Sequence, residues 1–201
     1  MIKSTFVAKL FATLLFIGIY SFIFFITTKD KESRINLLLE QQITTLKRSC
    51  NALRDRYNTI SKLINHEILD NAQNLELLYN AKFATNEEKT RYRDALYEQI
   101  KPHFHHFQEI GIETVLFAFW DNKAFLRVHD PKKFDDTLEK DDSAAYVNST
   151  KEEMKGFDIK NLSYKYTTPL YHKQTYLGVF SIGFSSSSMQ KNITKLDHED
   201  T

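Results

Sequence analysis

The hydrophobic and polar positions divide the chain into an apolar stretch, a helical part and a part rich in strands. Leu10–Ile26 are uncharged, and with Phe6–Ala8 and Thr27–Thr28 they reach the roughly 20 residues that cross a bilayer. This stretch predicts a transmembrane helix. A cleaved signal peptide is the alternative, since Lys3 and Lys9 could form its basic start, but no small-residue cleavage pattern follows.

Between Asp30 and Tyr79 the chain has no proline or glycine, and its apolar residues recur with a helical period. One set recurs every seventh residue and a second follows it by four: Leu39, Leu46, Leu53 and Ile60, with Ile43, Cys50, Tyr57 and Ile64. This spacing predicts a long helix with one continuous apolar seam. The seam either packs on the chain's own domain or pairs with a second copy in a parallel dimer, and the sequence leaves both open.

A second helix is predicted over Asn86–Glu109, capped by Thr85 or Asn86, with a kink or break near Lys101 because Pro102 lies inside it. From Gly111 onwards, short β-branched and aromatic runs between turn residues predict strands. Five are expected, with a short helix or loop over Asp141–Met154 after the second: Thr114–Trp120, Ala124–Val128, Gly156–Lys160, Ser163–Tyr171 and Thr175–Phe184.

The predicted fold class is therefore α+β: an N-terminal transmembrane helix, a long helix, and a PAS-like antiparallel sheet of about five strands. The expected divisions are 1–28 for the cytoplasmic tip and membrane helix, 29–110 for the two helices, and 111–185 for the sheet. Residues 186–201 form a C-terminal helix or tail, with the helix beginning near Met189.

Composition and charge narrow the function classes. A formal net charge of +1 gives no broad electrostatic reason to expect nucleic-acid binding. The single cysteine, Cys50, excludes an intrachain disulfide and any CxxC motif. His103, His105 and His106 lack a carboxylate at a familiar zinc-ligand spacing. Since no nucleophile–base pair, phosphate loop or pair of acids can be identified either, we expect no enzyme, cofactor or metal site.

The segment from Phe119 to Leu138 reads FWDNKAFLRVHDPKKFDDTL. It resembles the first sensory module of double Cache domains, where a hairpin ends in F-L-R-x-H-x-P and a D-D-L-like segment follows. Residues 155–158, 164–170 and 176–183 resemble the closing strands of that module. Double Cache domains occur in bacterial histidine kinases, chemoreceptors and cyclic-dinucleotide enzymes, and the resemblance covers roughly residues 65–185.

The resemblance implies a bacterial inner-membrane protein with a dimerising helix and a periplasmic sensory domain. It thereby fixes the orientation of the chain in the membrane, which charge alone leaves open because the lysines and arginines on the two sides of the apolar stretch are nearly equal in number. Lys165 departs from the family, because an arginine is expected there. We expect either a sensor without an output domain of its own, which works through a partner, or a fragment of a longer receptor.

Six residues are candidates for ligand binding: Trp120, Asp121, Arg127, His129, Tyr164 and Lys165. Arg127 and His129 alternate on one strand and share a face, so the guanidinium could hold a ligand carboxylate. Trp120 and Tyr164 could wall the pocket, and Asp121 could accept a hydrogen bond from a ligand amine. The alternative is that Arg127 makes a salt bridge with Asp135 or Asp136 and fixes the following loop.

The sequence supports two candidate functions, which belong to different functional classes. The first is a membrane-anchored sensor of a small molecule, such as an amino acid or organic acid, that signals to a partner protein. The second is a membrane-tethered dimeric interaction module without a ligand. A pocket bearing Arg127 would favour the first, and a pocket filled by Phe125, Phe134 or Tyr146 the second.

Overall fold

The computed structural model describes residues 2–140, 142–158 and 163–188, with side chains from Thr13 onwards. Its main helices are α1 (Ile2–Leu69), α2 (Ala72–Phe83), α3 (Asn86–Glu109) and α4 (Ser143–Thr150). Its strands are β1 (Ile112–Phe119), β2 (Ala124–Arg127), β3 (Met154–Asp158), β4 (Ser163–His172) and β5 (Thr175–Phe184). The helix predicted from Met189 and the last two residues of the predicted third strand lie outside the described residues. Contacts divide the chain into two compact units, Met1–Arg48 and Ser49–Thr201.

The first unit is an uninterrupted helix, the N-terminal part of α1. The large apolar side chains between Leu14 and Ile26 are exposed, from Ile26 at 49% to Phe16 at 73%. Among the described residues, α1 is the one helix long and apolar enough to cross a membrane by length and composition. The predicted transmembrane helix is compatible with this finding.

The predicted seam of α1 has two different environments. Seam side chains in the first unit are about half exposed: Leu39, Ile43 and Leu46. In the second unit Cys50 and Ile60 are partly buried, and three seam side chains are almost completely buried: Leu53, Tyr57 and Ile64. From Leu53 onwards the seam therefore packs on the chain's own domain, which is one of the two possibilities that the sequence left open.

The prediction of one helix from Asp30 to Tyr79 is wrong at its C-terminal end. The helix α1 ends at Leu69, and Asn71 caps a new helix by accepting a hydrogen bond from the backbone N–H of Gln73 (3.0 Å). The buried Asn74 side chain donates to the carbonyl of Ile68 (2.8 Å). An asparagine side chain can replace helical backbone partners in this way, so the chain turns without proline or glycine.

The helix α3 has the predicted bounds and a complete capping box between Thr85 and Glu88. Of the kink or break predicted near Lys101, the break is absent, since α3 continues through Pro102. Proline removes one helical hydrogen bond, while the apolar stripe on either side of it stays buried and holds the helix in place. That stripe comprises Leu96, Ile100, Phe104 and Phe107.

The five strands form one antiparallel sheet in the order β2-β1-β5-β4-β3. Because side chains alternate along a strand, the sheet has two different faces. One face packs with α1, α2 and α3 around large side chains such as Phe117 and Phe180. The other packs with α4 around small ones, including Ala118 and Val179. We call the second face the α4 face.

A close backbone approach joins β5 to β1 at Gly178. Its φ is +151°, and a Cβ atom there would lie 2.0 Å from the carbonyl oxygen of Ala118. Only glycine fits this position, which brings the start of β5 beside the β1–β2 turn.

Candidate functional site

Two predicted site residues lie on the α4 face of the sheet: Lys165 on β4, and Arg127 on β2, whose cross-strand partner Leu116 packs against the α4 cluster. Lys165 lies near the start of β4, and its cross-strand partners are Gly156 on β3 and Gly183 on β5. A Cβ atom added at Gly156 would meet nothing within 4 Å, whereas one at Gly183 would collide with the Thr114 side chain. The lysine side chain therefore has open space on its β3 side.

Two carboxylates hold the Lys165 ammonium. Its Nζ lies 2.9 Å from Asp158 at the end of β3 and 3.3 Å from Asp142. All three side chains are about one-fifth exposed. Burial opposes the charged form, but the two carboxylates outweigh it and raise the pKa of Lys165. The lysine is therefore a permanent cation in an acidic surrounding at neutral pH.

Three hydroxyl groups lie deeper on the same face. Thr167 donates to Ser143 (2.9 Å) and is hydrogen-bonded to Ser181, its cross-strand partner, at 2.8 Å. All three residues are buried. Serine and threonine hydroxyls can both donate and accept, so this group can exchange partners with a polar ligand.

Local structure explains why α4 brings polar groups to this face. Asp142 is its N-cap, and the Oδ1 atom accepts from the backbone N–H of Ala144 (2.9 Å) while Oδ2 faces Lys165. A capping carboxylate has a fixed direction at the start of a helix, so α4 and the Lys165 ion pair depend on each other. Ala144 and Val147 pack flat on the sheet because they are small.

Arg127 is engaged within the protein. Its guanidinium binds Asp136 through two nitrogens, at 2.5 and 2.9 Å, and donates to the carbonyl of Lys133 (2.9 Å). The guanidinium lowers the pKa of the Asp136 carboxyl by hydrogen bonding. This geometry agrees with the salt bridge that the sequence analysis weighed against ligand binding, and it fixes the loop after β2.

A second arginine, not considered from the sequence, holds the same loop. Arg93 on α3 is buried and donates to the carbonyl of Phe125 (2.7 Å) and to both oxygens of Asp135 (3.1 and 3.2 Å). Its guanidinium also stacks on the Phe134 ring, 3.6 Å from the centroid. Adjacent aspartates thus bind arginines from two different elements.

The remaining predicted site residues are dispersed. The imidazole of His129 contacts the backbone of Val115, and burial lowers its pKa. Tyr164 lies on the helix-packed face, where its hydroxyl donates to Asn58 (2.6 Å). Trp120 is 55% exposed, and Asp121 accepts from the backbone N–H of Lys123 in its own turn.

The structure therefore brings Lys165 together with residues that the sequence analysis did not choose: Asp142, Ser143, Asp158, Thr167 and Ser181. One sequence signal could have found Thr167, because it is two residues from Lys165 on the same strand. The three aromatic side chains that would fill the pocket of an interaction module without a ligand do not lie beside Lys165. Phe125 is in the helix-packed core, and Phe134 and Tyr146 are 40% and 47% exposed.

Comparison with known proteins identifies the family. Residues 46–200 match dCache_3, the double sensory domain of two-component sensor kinases. The chain belongs to this double Cache family. The match confirms the resemblance found in the sequence, and a sensory Cache fold is a ligand-binding rather than a catalytic module. No curated protein matches the chain in sequence.

Solved Cache sensor domains share the fold. The sensor domain of the V. cholerae histidine kinase DctB matches with a TM-score of 0.54 and 14% identity, over 79% of this chain and 60% of that one. The ligand-binding domain of the Campylobacter jejuni chemoreceptor Tlp3 in complex with L-norvaline matches with 0.55 and 17%, over 78% and 62%. The Tlp3 sensory domain with isoleucine bound matches with 0.50 and 18%, over 82% and 66%. This chain thus spans less than two thirds of the sensor domains that it resembles.

Proposed function

We propose that this Cache protein is a membrane-anchored extracytoplasmic sensor whose small-molecule ligand binds on the α4 face beside Lys165. The observation that carries the proposal is the Lys165 ammonium between two carboxylates, next to the open position at Gly156. Convergent polar groups that fix the orientation of a ligand are typical of ligand sites.

An amino acid fits the chemistry of these groups best, because the two aspartates give the site a net negative charge that the ammonium group of the ligand offsets. An organic acid offers only its carboxylate. A ligand carboxylate would pair with Lys165 and accept hydrogen bonds from the buried hydroxyls of Thr167 and its neighbours. An ammonium group on the same ligand would pair with Asp142 or Asp158. The complexes of Tlp3 with L-norvaline and with isoleucine support this class, since that domain shares the fold.

The structural change caused by ligand binding would be transmitted towards the membrane through α4, the sheet and the helices on the other face of the sheet. A ligand that separates Lys165 from Asp142 changes the cap of α4, and the sheet transmits that change to the helices on its other face. A ligand shifts such an equilibrium only by its differential affinity for the two arrangements. An extracytoplasmic sensory domain with an N-terminal apolar helix is compatible with a single-pass inner-membrane protein, and we propose that the signal passes to a partner protein.

A thermal-shift screen of the full chain in non-ionic detergent micelles tests the ligand site. A compound at 100 times its dissociation constant adds about 2.7 kcal/mol of stability, which raises the melting temperature of a domain of this size by about 5–11 °C. We expect stabilisation by an amino acid or organic acid that Lys165→Met abolishes and Lys165→Arg retains. Lys155→Met is the matched control, because this lysine lies on the neighbouring strand β3 and pairs with Glu153.

Stabilisation that survives in Lys165→Met would move the site elsewhere in the domain. Stabilisation lost in Lys155→Met as well would show a general charge effect. No stabilisation across the panel would favour the interaction module.

A specific observation keeps the interaction module as a second candidate. The seam side chains Leu39, Ile43 and Leu46 are half exposed in the single chain, and a parallel homodimer would bury them. We propose that a second copy pairs along this stretch. Sedimentation of the full chain in micelles should show a dimer that Leu39→Asp with Leu46→Asp weakens, and a monomeric parent protein would contradict this pairing.

A further inference from the structure

The end of the sheet at the β4–β5 turn carries two lysines without acidic partners. Lys82, near the end of α2, donates to the carbonyl of Tyr176 (2.6 Å). The Nζ of Lys151 lies 3.6 Å from the centroid of the Tyr176 ring and donates to the carbonyl of Asn148. Among the described residues, neither ammonium has a carboxylate within 4 Å. Both lysines therefore contact Tyr176, one through its carbonyl oxygen and one through its aromatic face, rather than a carboxylate.

The backbone of Lys151 adds a second observation. This residue caps the C-terminus of α4 in the left-handed conformation, at φ 63° and ψ 17°. Glycine or asparagine is the usual residue at such a position, because a Cβ atom is strained there. A lysine at this point places an ammonium beside Tyr176 at a conformational cost that glycine would avoid.

The surrounding groups are held rigidly. The Tyr176 hydroxyl donates to Oδ1 of Asn148 (2.6 Å), and the Asn148 amide donates to the carbonyl of Phe119 (2.9 Å) and to Asn122 (2.7 Å). Burial raises the pKa of the Tyr176 hydroxyl, so it remains protonated. Desolvation and the charge of Lys82 lower the pKa of Lys151. An anion beside these lysines would relieve their repulsion, while the tyrosine and the asparagine would not need to move.

We propose that Lys82 and Lys151 form an oxyanion site beside Tyr176, which takes a carboxylate or phosphoryl group. The site is separate from Lys165 and involves the other end of α4, so its existence does not depend on the ligand proposed above. An anion held there would connect α2, the β4–β5 hairpin and α4, which are elements of three different parts of the chain. Because Lys151 is exposed and Lys82 is partly exposed, we expect weak binding, with a dissociation constant of about 1 mM.

Isothermal titration of the full chain in non-ionic micelles tests the site with inorganic phosphate and with acetate, each compared with sodium chloride at equal ionic strength. Lys151→Gly is the decisive variant, because glycine suits the left-handed position and should leave the domain at least as stable. We expect phosphate to bind the parent protein saturably, with at least tenfold weaker binding to Lys151→Gly and to Lys82→Met. Lys101→Met, an exposed lysine on α3, serves as the control and should bind as the parent does.

Binding of both probes would identify a general oxyanion site, and binding of phosphate alone would identify a phosphoryl site. Heat no larger than that of sodium chloride would overturn the proposal. So would unchanged phosphate binding in a folded Lys151→Gly protein.

Discussion

Leu46 and Leu53 occupy equivalent positions of one predicted seam, one heptad apart, but the structure gives them opposite environments. Leu46 is 53% exposed and Leu53 is 1% exposed. Truncating a completely buried leucine to alanine costs about 2–5 kcal/mol, through lost burial and the cavity that remains. A surface truncation usually changes stability by less than about 0.5 kcal/mol. We therefore expect Leu53→Ala to destabilise the domain by about 3 kcal/mol and Leu46→Ala to have almost no effect on an isolated chain.

The fluorescence of Trp120, the single tryptophan, reports unfolding of the sheet domain while the apolar N-terminal part of α1 stays in its micelle. A loss of about 3 kcal/mol lowers the melting temperature by roughly 6–12 °C for a domain of this size. If Leu46 meets a second copy, its truncation should lower the melting temperature only at high protein concentration. Equal decreases in the melting temperature of Leu53→Ala and Leu46→Ala at low protein concentration would refute the different environments of the two seam positions.

Three further predictions concern single contacts. Gly178→Ala should destabilise by more than about 2 kcal/mol in denaturant unfolding, because its Cβ would collide with the carbonyl of Ala118; an unchanged midpoint would show that the strands can separate. Asp136→Asn should lower stability at neutral pH and much less at acidic pH. Arg127 lowers the pKa of this carboxyl, so its contribution is present above the ordinary aspartate pKa and is lost as the pH falls from there through the lowered pKa of the folded protein; a pH-independent difference between parent and variant would contradict this. Thr85→Ala should cost about 1 kcal/mol through loss of the α3 cap, and unchanged thermal unfolding would show that the cap contributes nothing.

The strands and the second helix could be predicted because their signals are local. Alternating β-branched and aromatic residues, a turn at Asp121–Lys123 and the capping residue Thr85 each act within a few positions. The end of α1 at Leu69 was not predicted, although the signal is local: Asn71 caps α2, and the Asn74 side chain donates to the carbonyl of Ile68. Asparagine is also found inside helices, so composition alone does not identify this turn.

Two features depend on tertiary structure: which surface covers the apolar seam of α1, and which residues surround Lys165. An apolar heptad pattern is equally suited to a second copy and to the chain's own core, and only the fold shows that Leu53 is covered. Lys165 was named from the sequence, but its partners Asp142 and Asp158 come from a helix cap and an edge strand. Arg127 has the residue type of a ligand contact, yet Asp136 occupies its guanidinium.

Hydrogen exchange of the full chain, with and without a saturating mixture of amino acids and organic acids, tests the ligand site on the α4 face most directly. A ligand beside Lys165 should slow exchange in α4 and in the first half of β4, because it bridges their polar groups. The same mixture should leave those segments unchanged in Lys165→Met. Unchanged exchange throughout the parent protein, or protection confined to the loop held by Arg127, would contradict the account.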